Sequence, residues 1–347
     1  EPVVAHVLYL GMEFGIWVEP EMINPDSDLF RAHPDWLLAV EGYQQPTGRY
    51  QYVLDLQKPE VFAYLLERLD DLLSRYDISY VKWDMNREVV QPGHDGKAAL
   101  YGQTLRLYAL LDELRLRHPK VEFESCASGG GRIDFEILKR THRFWTSDNN
   151  DALERQQIQR GMSYFFPPEV MGAHIGGRHC HCTRRSHSIG FRGLTALFGH
   201  MGVELDPVKE STEEQAGFTH YIALHKQLRP LLHSGNVVRI DHHDPALQIN
   251  GVIAQDQSCA VFLLSQLAMP TYSLSGTARL AGLDPTKQYR LNVLDQPASL
   301  RTGGVMKKLP LWLDEEITLS GDWLAKAGLA LPVMDPESAV LIKLEAE

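Results

Sequence analysis

Helical and extended periodicities alternate along the first part of the chain. Between residues 59 and 76, Val61, Leu65, Leu66, Leu69, Leu72 and Leu73 recur at helical spacing, with Glu67, Arg68, Asp70 and Asp71 between them. One apolar stripe on a charged background predicts an amphipathic helix, and Pro59 suits its first turn. Residues 100–117 repeat the design, with Leu107, Leu110, Leu111 and Leu114 facing inward and Pro119 beyond the end. Further helices are expected over residues 133–139, 153–164, 189–199 and 211–232, the last with a capping box of Ser211 and Glu214. Residues 1–10 look like the end of a helix stopped by Gly11. Short runs of β-forming residues lie between these helices, at 14–19, 78–83, 121–125, 143–147, 169–174 and 203–205. Strands that alternate with helices over this length imply a parallel sheet.

The texture changes after Gly235. Residues 237–241, 247–253, 259–266, 276–280, 288–293 and 339–344 are short, rich in β-formers and separated by turns, and several alternate apolar with polar positions. That pattern predicts a small antiparallel β-sandwich. The expected organisation is a portion of a (β/α)8 barrel of the TIM type over residues 1–235, followed by the sandwich over 236–347.

Composition narrows the partners. The chain has 347 residues, 44% hydrophobic and 23% charged, with a net charge of −11. The negative charge disfavours nucleic acid and anionic membranes as partners, and no apolar run reaches the roughly 18 residues of a membrane helix. Residues 1–10 have neither a basic start nor a cleavage site, so they do not read as a signal peptide. Cys126, Cys180, Cys182 and Cys259 are too few for a disulfide framework and suggest reduced thiols in the cytoplasm. The run His179-Cys180-His181-Cys182 invites a zinc reading. Alternating neighbours cannot all face one ion without an unusual loop, however, and no C-x-x-C pair lies elsewhere, so no metal site is expected.

The chemistry gathers at strand ends. The first predicted strand closes on Trp17, Glu19 and Glu21, the second on Lys82 and Asp84 with Arg87 beyond. The third closes on Glu124, Ser125 and Cys126 before Gly129, Gly130 and Gly131, and the fourth on Asp148, Asn149, Asn150 and Asp151. His174 and Glu204 follow on later strands. Repeated polar strand ends argue for a shared rim, where barrel active sites lie. Aromatics, amides and at least two carboxylates suit glycosidic cleavage. The spacings of a P-loop, a dinucleotide fingerprint and a serine nucleophile elbow are all missing. Asp84 lies beside Lys82, which favours its ionised form, whereas Asp148 sits among the neutral Thr146, Ser147, Asn149 and Asn150. Trp36, Trp312 and Trp323 read as packing residues.

Five segments in order resemble the signatures of the α-galactosidases of glycoside hydrolase family 36. They are Gly15-Ile16-Trp17-Val18-Glu19-Pro20-Glu21-Met22, Lys82-Trp83-Asp84-Met85-Asn86, residues 124–132 (Glu-Ser-Cys-Ala-Ser-Gly-Gly-Gly-Arg), Trp145-Thr146-Ser147-Asp148-Asn149, and Met171-Gly172-Ala173-His174. The chain is most similar to the raffinose- and melibiose-cleaving enzymes of enteric bacteria. The resemblance implies a retaining exo-α-galactosidase acting on terminal α-1,6-linked galactose, with no metal or organic cofactor. Asp84 would be the nucleophile and Asp148 the acid/base, with Asp151 as the alternative acid. Trp17 would be the aromatic wall over the sugar, Arg49 and Lys82 cationic donors to its hydroxyls, and Cys126 and Gly129 the residues flanking C2. Glu19, Glu21 and Glu124 are expected to form supporting ion pairs, and His174 a supporting hydrogen bond.

The family's full-length members are expected to be homo-oligomers, dimers or tetramers. They also carry an N-terminal β-sandwich and an early barrel strand ending in an Asp-Asp-Gly-Trp motif. That motif is not found before Trp17, so the chain reads as a C-terminal portion with about six of eight barrel strands. Two other functions stay open at this stage. One is a transglycosylase such as a raffinose synthase on the same site. The other is an inactive fragment or subunit that needs the missing half.

Overall fold

In the computed structural model, which describes residues 2–298, 300 and 308–347, the periodic leucines face one common core. Helix α1 (Pro2–Tyr9) buries no residue and ends at Gly11, whose φ of +72° is open to glycine at no steric cost. Glu1 lies outside the described residues. Helix α2 (Pro59–Arg75) buries Val61, Leu65, Leu69 and Leu73, with Leu66 and Leu72 partly buried beside them. Helix α3 (Leu100–Arg117) buries Leu107, Leu110, Leu111 and Leu114. It also buries Gln103, whose amide donates to Leu54 O and accepts from Leu56 N–H, both at 2.9 Å, and so ties down the chain ahead of α2. Each fully buried leucine contributes about 1.5–3 kcal/mol.

Both helices pack on one face of a parallel sheet. Its strands are β1 (Gly15–Val18), β2 (Tyr80–Trp83), β3 (Glu122–Ser125) and β4 (Arg143–Trp145), paired in chain order. Val81, Trp83 and Phe123 point to the helices and join their core. Tyr80, Lys82, Glu124 and Arg143 point the other way, since successive strand residues face opposite sides. Strand β1 is only half-buried, although its residues are mostly apolar. It pairs with β2 on one side, and Gly15 and Trp17 are exposed while Ile16 and Val18 are half-buried. The short helix α4 (Phe135–Leu138) starts where the Asp134 carboxylate accepts from Ile137 N–H at 2.7 Å. These elements make one compact unit, Glu1–Asp148.

The second unit, Asn149–Glu347, opens with helix α5 (Ala152–Met162) and continues through β5 (Met171–Gly176), α6 (Ile189–Ala196), β6 (His200–Glu204) and α7 (Thr212–Leu232). Strands β5 and β6 are parallel. The described residues thus hold six parallel strands of the α/β type, four in the first unit and two in the second. Strand β6 begins three residues before the run its composition marks. Ser211 caps α7 by accepting from Glu214 N–H at 3.2 Å, but the Glu214 carboxylate does not complete a box; it pairs with the buried Arg192.

Six further strands follow: β7 (Asn236–Ile240), β8 (Leu247–Ile253), β9 (Cys259–Gln266), β10 (Gln288–Asp295), β11 (Ile317–Ser320) and β12 (Ser338–Ala346). They form an antiparallel sheet in the order β7-β8-β9-β12-β10-β11. One face carries Ile249, Phe262, Leu264, Leu291, Ile342 and Leu344 against a thin second layer that supplies Ala278, Leu280, Trp312, Leu324 and Leu329. The ladder of that layer is short, Thr277–Ala278 against Leu329–Ala330, where the sequence marks a strand over residues 276–280. The other face carries Val252, Val261, Leu263 and Leu341, which share a core with Phe191 and Leu194 of α6 and Phe218, Tyr221 and Leu224 of α7. The shift in texture at Gly235 is therefore not a break in packing, because the core of α6 and α7 runs on into the sheet. Trp36 is buried and stacked on His33, and Trp312 is buried with its indole on Ala330 O at 2.7 Å. Trp323 is 54% exposed and does not pack as expected.

Candidate active site

Strand register assembles the site within the first unit. Trp17, Lys82 and Glu124 stand in register on β1, β2 and β3, and Glu124 is opposite Arg143 on β4. Two residues further along each strand, and on the same face, come Glu19, Asp84, Cys126 and Trp145. The ladder extends far enough to hold them. Asp84 N–H donates to Val18 O at 2.9 Å, and Cys126 N–H to Trp83 O at 2.8 Å.

Asp84 is buried, with both oxygens engaged. Its Oδ2 accepts from the Trp17 indole at 2.9 Å and from Asn86 Nδ2 at 2.6 Å, and its Oδ1 accepts from Met85 N–H at 2.8 Å. Burial alone would raise this carboxyl, but the hydrogen bonds from Trp17, Asn86, Cys126 and Met85 outweigh it and hold the group below its ordinary range. The Cys126 thiol is pushed up to about 12 by burial and by the Asp84 carboxylate, so it stays an S–H donor.

Lys82 is not the group that ionises Asp84. Its ammonium lies 2.8 Å from Glu124 Oε1 and 4.5 Å from the centre of the Trp145 ring. Glu124 is buried and also accepts from the Tyr80 hydroxyl at 2.6 Å, with Arg143 Nε at 3.5 Å. Burial, and then the Glu124 charge, push the Tyr80 phenol up, so that it donates to Glu124. Glu19 and Glu21 each lie near a cation, Arg49 and Arg132, and hold neighbouring groups by hydrogen bonds. Glu19 accepts from Asn86 N–H at 2.7 Å and Gln51 Nε2 at 3.0 Å, while Glu21 pairs with Arg132 at 2.8 Å and accepts from the Trp83 indole at 2.9 Å.

Arg49 sits in a tight turn. Gly48 and Gln51 exchange backbone hydrogen bonds, and the two residues between them, Arg49 and Tyr50, both have left-handed backbones, with φ of +50° and +61°. Two consecutive non-glycine residues in that region cost about 1–3 kcal/mol each. Arg87 holds the turn, donating to Pro46 O at 3.2 Å and to Gln51 O. It is therefore a buried strut and not a rim cation. The Arg49 guanidinium is exposed, 4.0 Å from Glu19.

Asp148, by contrast with Asp84, is exposed, and its Oδ1 accepts from the Trp145 indole at 3.0 Å. Gly129 stands against it. A Cβ there would lie 2.7 Å from Asp148 N and 2.8 Å from Ser147 Cα, and its φ is +79°. A Cβ on Gly130 would lie 2.5 Å from Thr146 O. The glycines let the loop after β3 press on the backbone that carries Asp148. The same loop reaches Asp84 through Ser128, whose hydroxyl is 3.4 Å from Asn86 Oδ1.

The second unit holds the remaining polar strand ends. His174 bonds Glu204 at 3.0 Å, and Asn150 bonds the same carboxylate at 3.3 Å. Asp151 is fully buried. It caps α5 by accepting from Leu153 N–H at 2.9 Å and Glu154 N–H at 3.1 Å, and it meets Thr183, Arg185 and His187. Burial works to raise its carboxyl, but Thr183, the Glu154 N–H and His187 hold it low. A saturated, ionised cap does not suit an acid. Sequence reasoning missed Asn86 and Trp145 as partners of the two acids. The signals were present: an amide two residues after Asp84, and an indole three before Asp148.

Residues 1–235 match the Melibiase family, and residues 246–344 match the glycosyl hydrolase family 36 C-terminal domain. An α-galactosidase of Escherichia coli is 62% identical over 347 residues, covering 99% of this chain and 49% of that protein. The fold is similar to crystal structures of a substituted GH36 α-galactosidase AgaA from Geobacillus stearothermophilus. In complex with raffinose it matches with a TM-score of 0.89 at 32% identity, over 100% of this chain and 46% of that one. In complex with stachyose the TM-score is 0.88 at 33% identity, over 100% and 46% of the two chains. The chain spans about half the length of these relatives.

Proposed function

The chain belongs to glycoside hydrolase family 36, and from that premise we propose that the protein is a retaining exo-α-galactosidase that removes terminal α-1,6-linked galactose from melibiose- and raffinose-type galactosides. The observation that carries this reading is the buried Asp84, kept ionised by four donors, in the same unit as the exposed Asp148. Asp84 attacks the anomeric carbon while Asp148 protonates the departing oxygen, so the glycosidic bond breaks as the glycosyl ester forms. Asp148 then takes a proton from water, the water oxygen bonds to the anomeric carbon, and the Asp84 carboxylate leaves. Trp17 walls the sugar, Arg49 and Lys82 donate to its hydroxyls, and Cys126 and Gly129 line the C2 position. This chemistry calls for no metal and no organic cofactor.

The functional boundary in this reading falls between residues 235 and 236, with the barrel portion before it and the sandwich after it. The location proposed for the protein is the cytoplasm; none of the described helices is long and apolar enough to cross a membrane. The working assembly is a dimer or tetramer that binds neither nucleic acid nor membrane.

The test is the anomer first released from nitrophenyl α-galactoside, followed by proton NMR before mutarotation. α-Galactose is expected, and β-galactose would overturn the mechanism. The matching N-acetylgalactosaminide should be a poor substrate, because an acetamido group pressed on Cys126 costs roughly 1–3 kcal/mol of overpacking. Equal kcat/KM for the two would refute that placement of Cys126.

A further inference from the structure

Residues 179–186 do not form the extended run in which alternate side chains point apart. They fold into a hairpin of the second unit, closed by the antiparallel bridge His179↔Ser186 and by Cys180 N–H on Arg185 O at 2.9 Å. Arg184, with φ of +66°, returns its N–H to Cys180 O at 3.0 Å. The turn cancels the alternation on which the sequence argument against a metal rests. The Sγ atoms of Cys180 and Cys182 and a ring nitrogen of His181 all lie within 4.8 Å of one another. Cys182 Sγ is already 3.2 Å from His181 Nε2.

We propose that Cys180, His181 and Cys182 form a binding site for a thiophilic d10 cation, with Zn2+ as the natural probe. Zinc binds thiolate at about 2.3 Å and imidazole at about 2.0–2.1 Å. Tetrahedral donors around it therefore stand roughly 3.3–3.8 Å apart, which fits three donors that all lie within 4.8 Å of one another, with the 3.2 Å Cys182–His181 pair opening by a few tenths of an ångström. The donor set contains two sulfurs, one nitrogen and no carboxylate, which selects against Mg2+ and Ca2+. As the two S–Zn bonds form, both thiol protons pass to solvent. Three protein ligands leave one position for water, in keeping with the exposed side of the turn, where His181 and Cys182 lie. The hairpin is held from behind, since Thr183, Arg185 and His187 all reach the buried Asp151. An anchored turn orients its ligands before the ion arrives.

The chain, stripped with a chelator and kept reduced, is titrated with Zn2+ by calorimetry and with Co2+ by absorption. One ion per chain is expected, with a thiolate-to-cobalt charge-transfer band and protection of the exposed Cys182 from alkylation. Loss of a partner outside the ligand sphere costs about 10–100-fold in metal affinity, so Cys182→Ser and His181→Ala should each cost at least about tenfold. Both side chains are exposed, so the metal-free melting temperatures should stay near that of the parent, and Cys259→Ser should bind like the parent. No uptake by the reduced parent, equal affinity in Cys182→Ser, or uptake without a thiolate band would overturn the proposal.

Discussion

On the parallel sheet of the first unit, Lys82, Glu124 and Arg143 stand side by side on one face. On one face of the antiparallel sheet of the second unit, Phe262, Leu264, Ile342 and Leu344 face an apolar core. The antiparallel face is built for stability, and the parallel one is not. Burying ion pairs such as Lys82–Glu124 is about neutral or unfavourable compared with apolar residues of the same size. A sheet that keeps them has another use for them, and the two carboxylates proposed as catalysts lie just beyond, at the ends of β2 and β4.

The sharpest way to break this comparison is to remove one group from each face. Asp84→Ala should lower kcat by more than about 10^4-fold, as loss of a nucleophile does elsewhere, while unfolding in urea shows a folded protein. Phe262→Ala on the antiparallel sheet should do the reverse. It should cost about 3–5 kcal/mol of stability and leave the activity of each folded molecule unchanged. If both variants lose activity and stability in the same proportion, the division between the faces is wrong.

A subtler pair tests the cost of the charges. Lys82→Met removes the nearest cation from the buried Glu124 carboxylate, leaving it the Tyr80 hydroxyl and the more distant Arg143, and should destabilise by up to about 3–5 kcal/mol in urea melts. Adding Glu124→Leu should restore much of that stability, since an apolar pair of similar volume is tolerated, but should not restore kcat. A double variant as unstable as the single one would make the ion pair structural.

The smallest effect concerns Asn86. The folded-state pKa of Asp84 is depressed, so its contribution to stability is present above the ordinary carboxylate pKa and is lost as pH falls through the lower folded value. The acid limb of kcat/KM follows that folded value. Asn86→Ala removes one donor to the carboxylate, a bond worth about 1.5–3 kcal/mol, so the limb should move up in pH. An unmoved limb would show that Asn86 does not tune Asp84.

The helices were legible from sequence because their signal is local. The stripe from Val61 to Leu73 needs only its own spacing, and so does the one from Leu107 to Leu114. The positions of the acids at strand ends were legible, and the roles proposed for them come from family resemblance. Partnerships were not. Lys82 is two residues from Asp84 in the chain but bonds Glu124, its cross-strand partner, because register as well as chain distance sets neighbours on a sheet face. Gly129 was read as a neighbour of the sugar, yet its backbone angle and the missing Cβ also answer to the backbone of Ser147 and Asp148. The buried strut Arg87 and the hairpin around Cys180 depend on turns whose left-handed residues, Arg49, Tyr50 and Arg184, carry no compositional mark.

The most direct test is azide rescue in the protein that carries this chain, with Asp84→Ala and Asp148→Ala assayed side by side on an activated nitrophenyl α-galactoside. In Asp84→Ala, azide replaces the nucleophile and should yield β-galactosyl azide, the inverted product. In Asp148→Ala the first step survives with a good leaving group, and azide should intercept the glycosyl ester to give the α-azide. The account predicts that the two variants yield opposite configurations in that order. An α-azide from Asp84→Ala would contradict it and exchange the roles of the two acids.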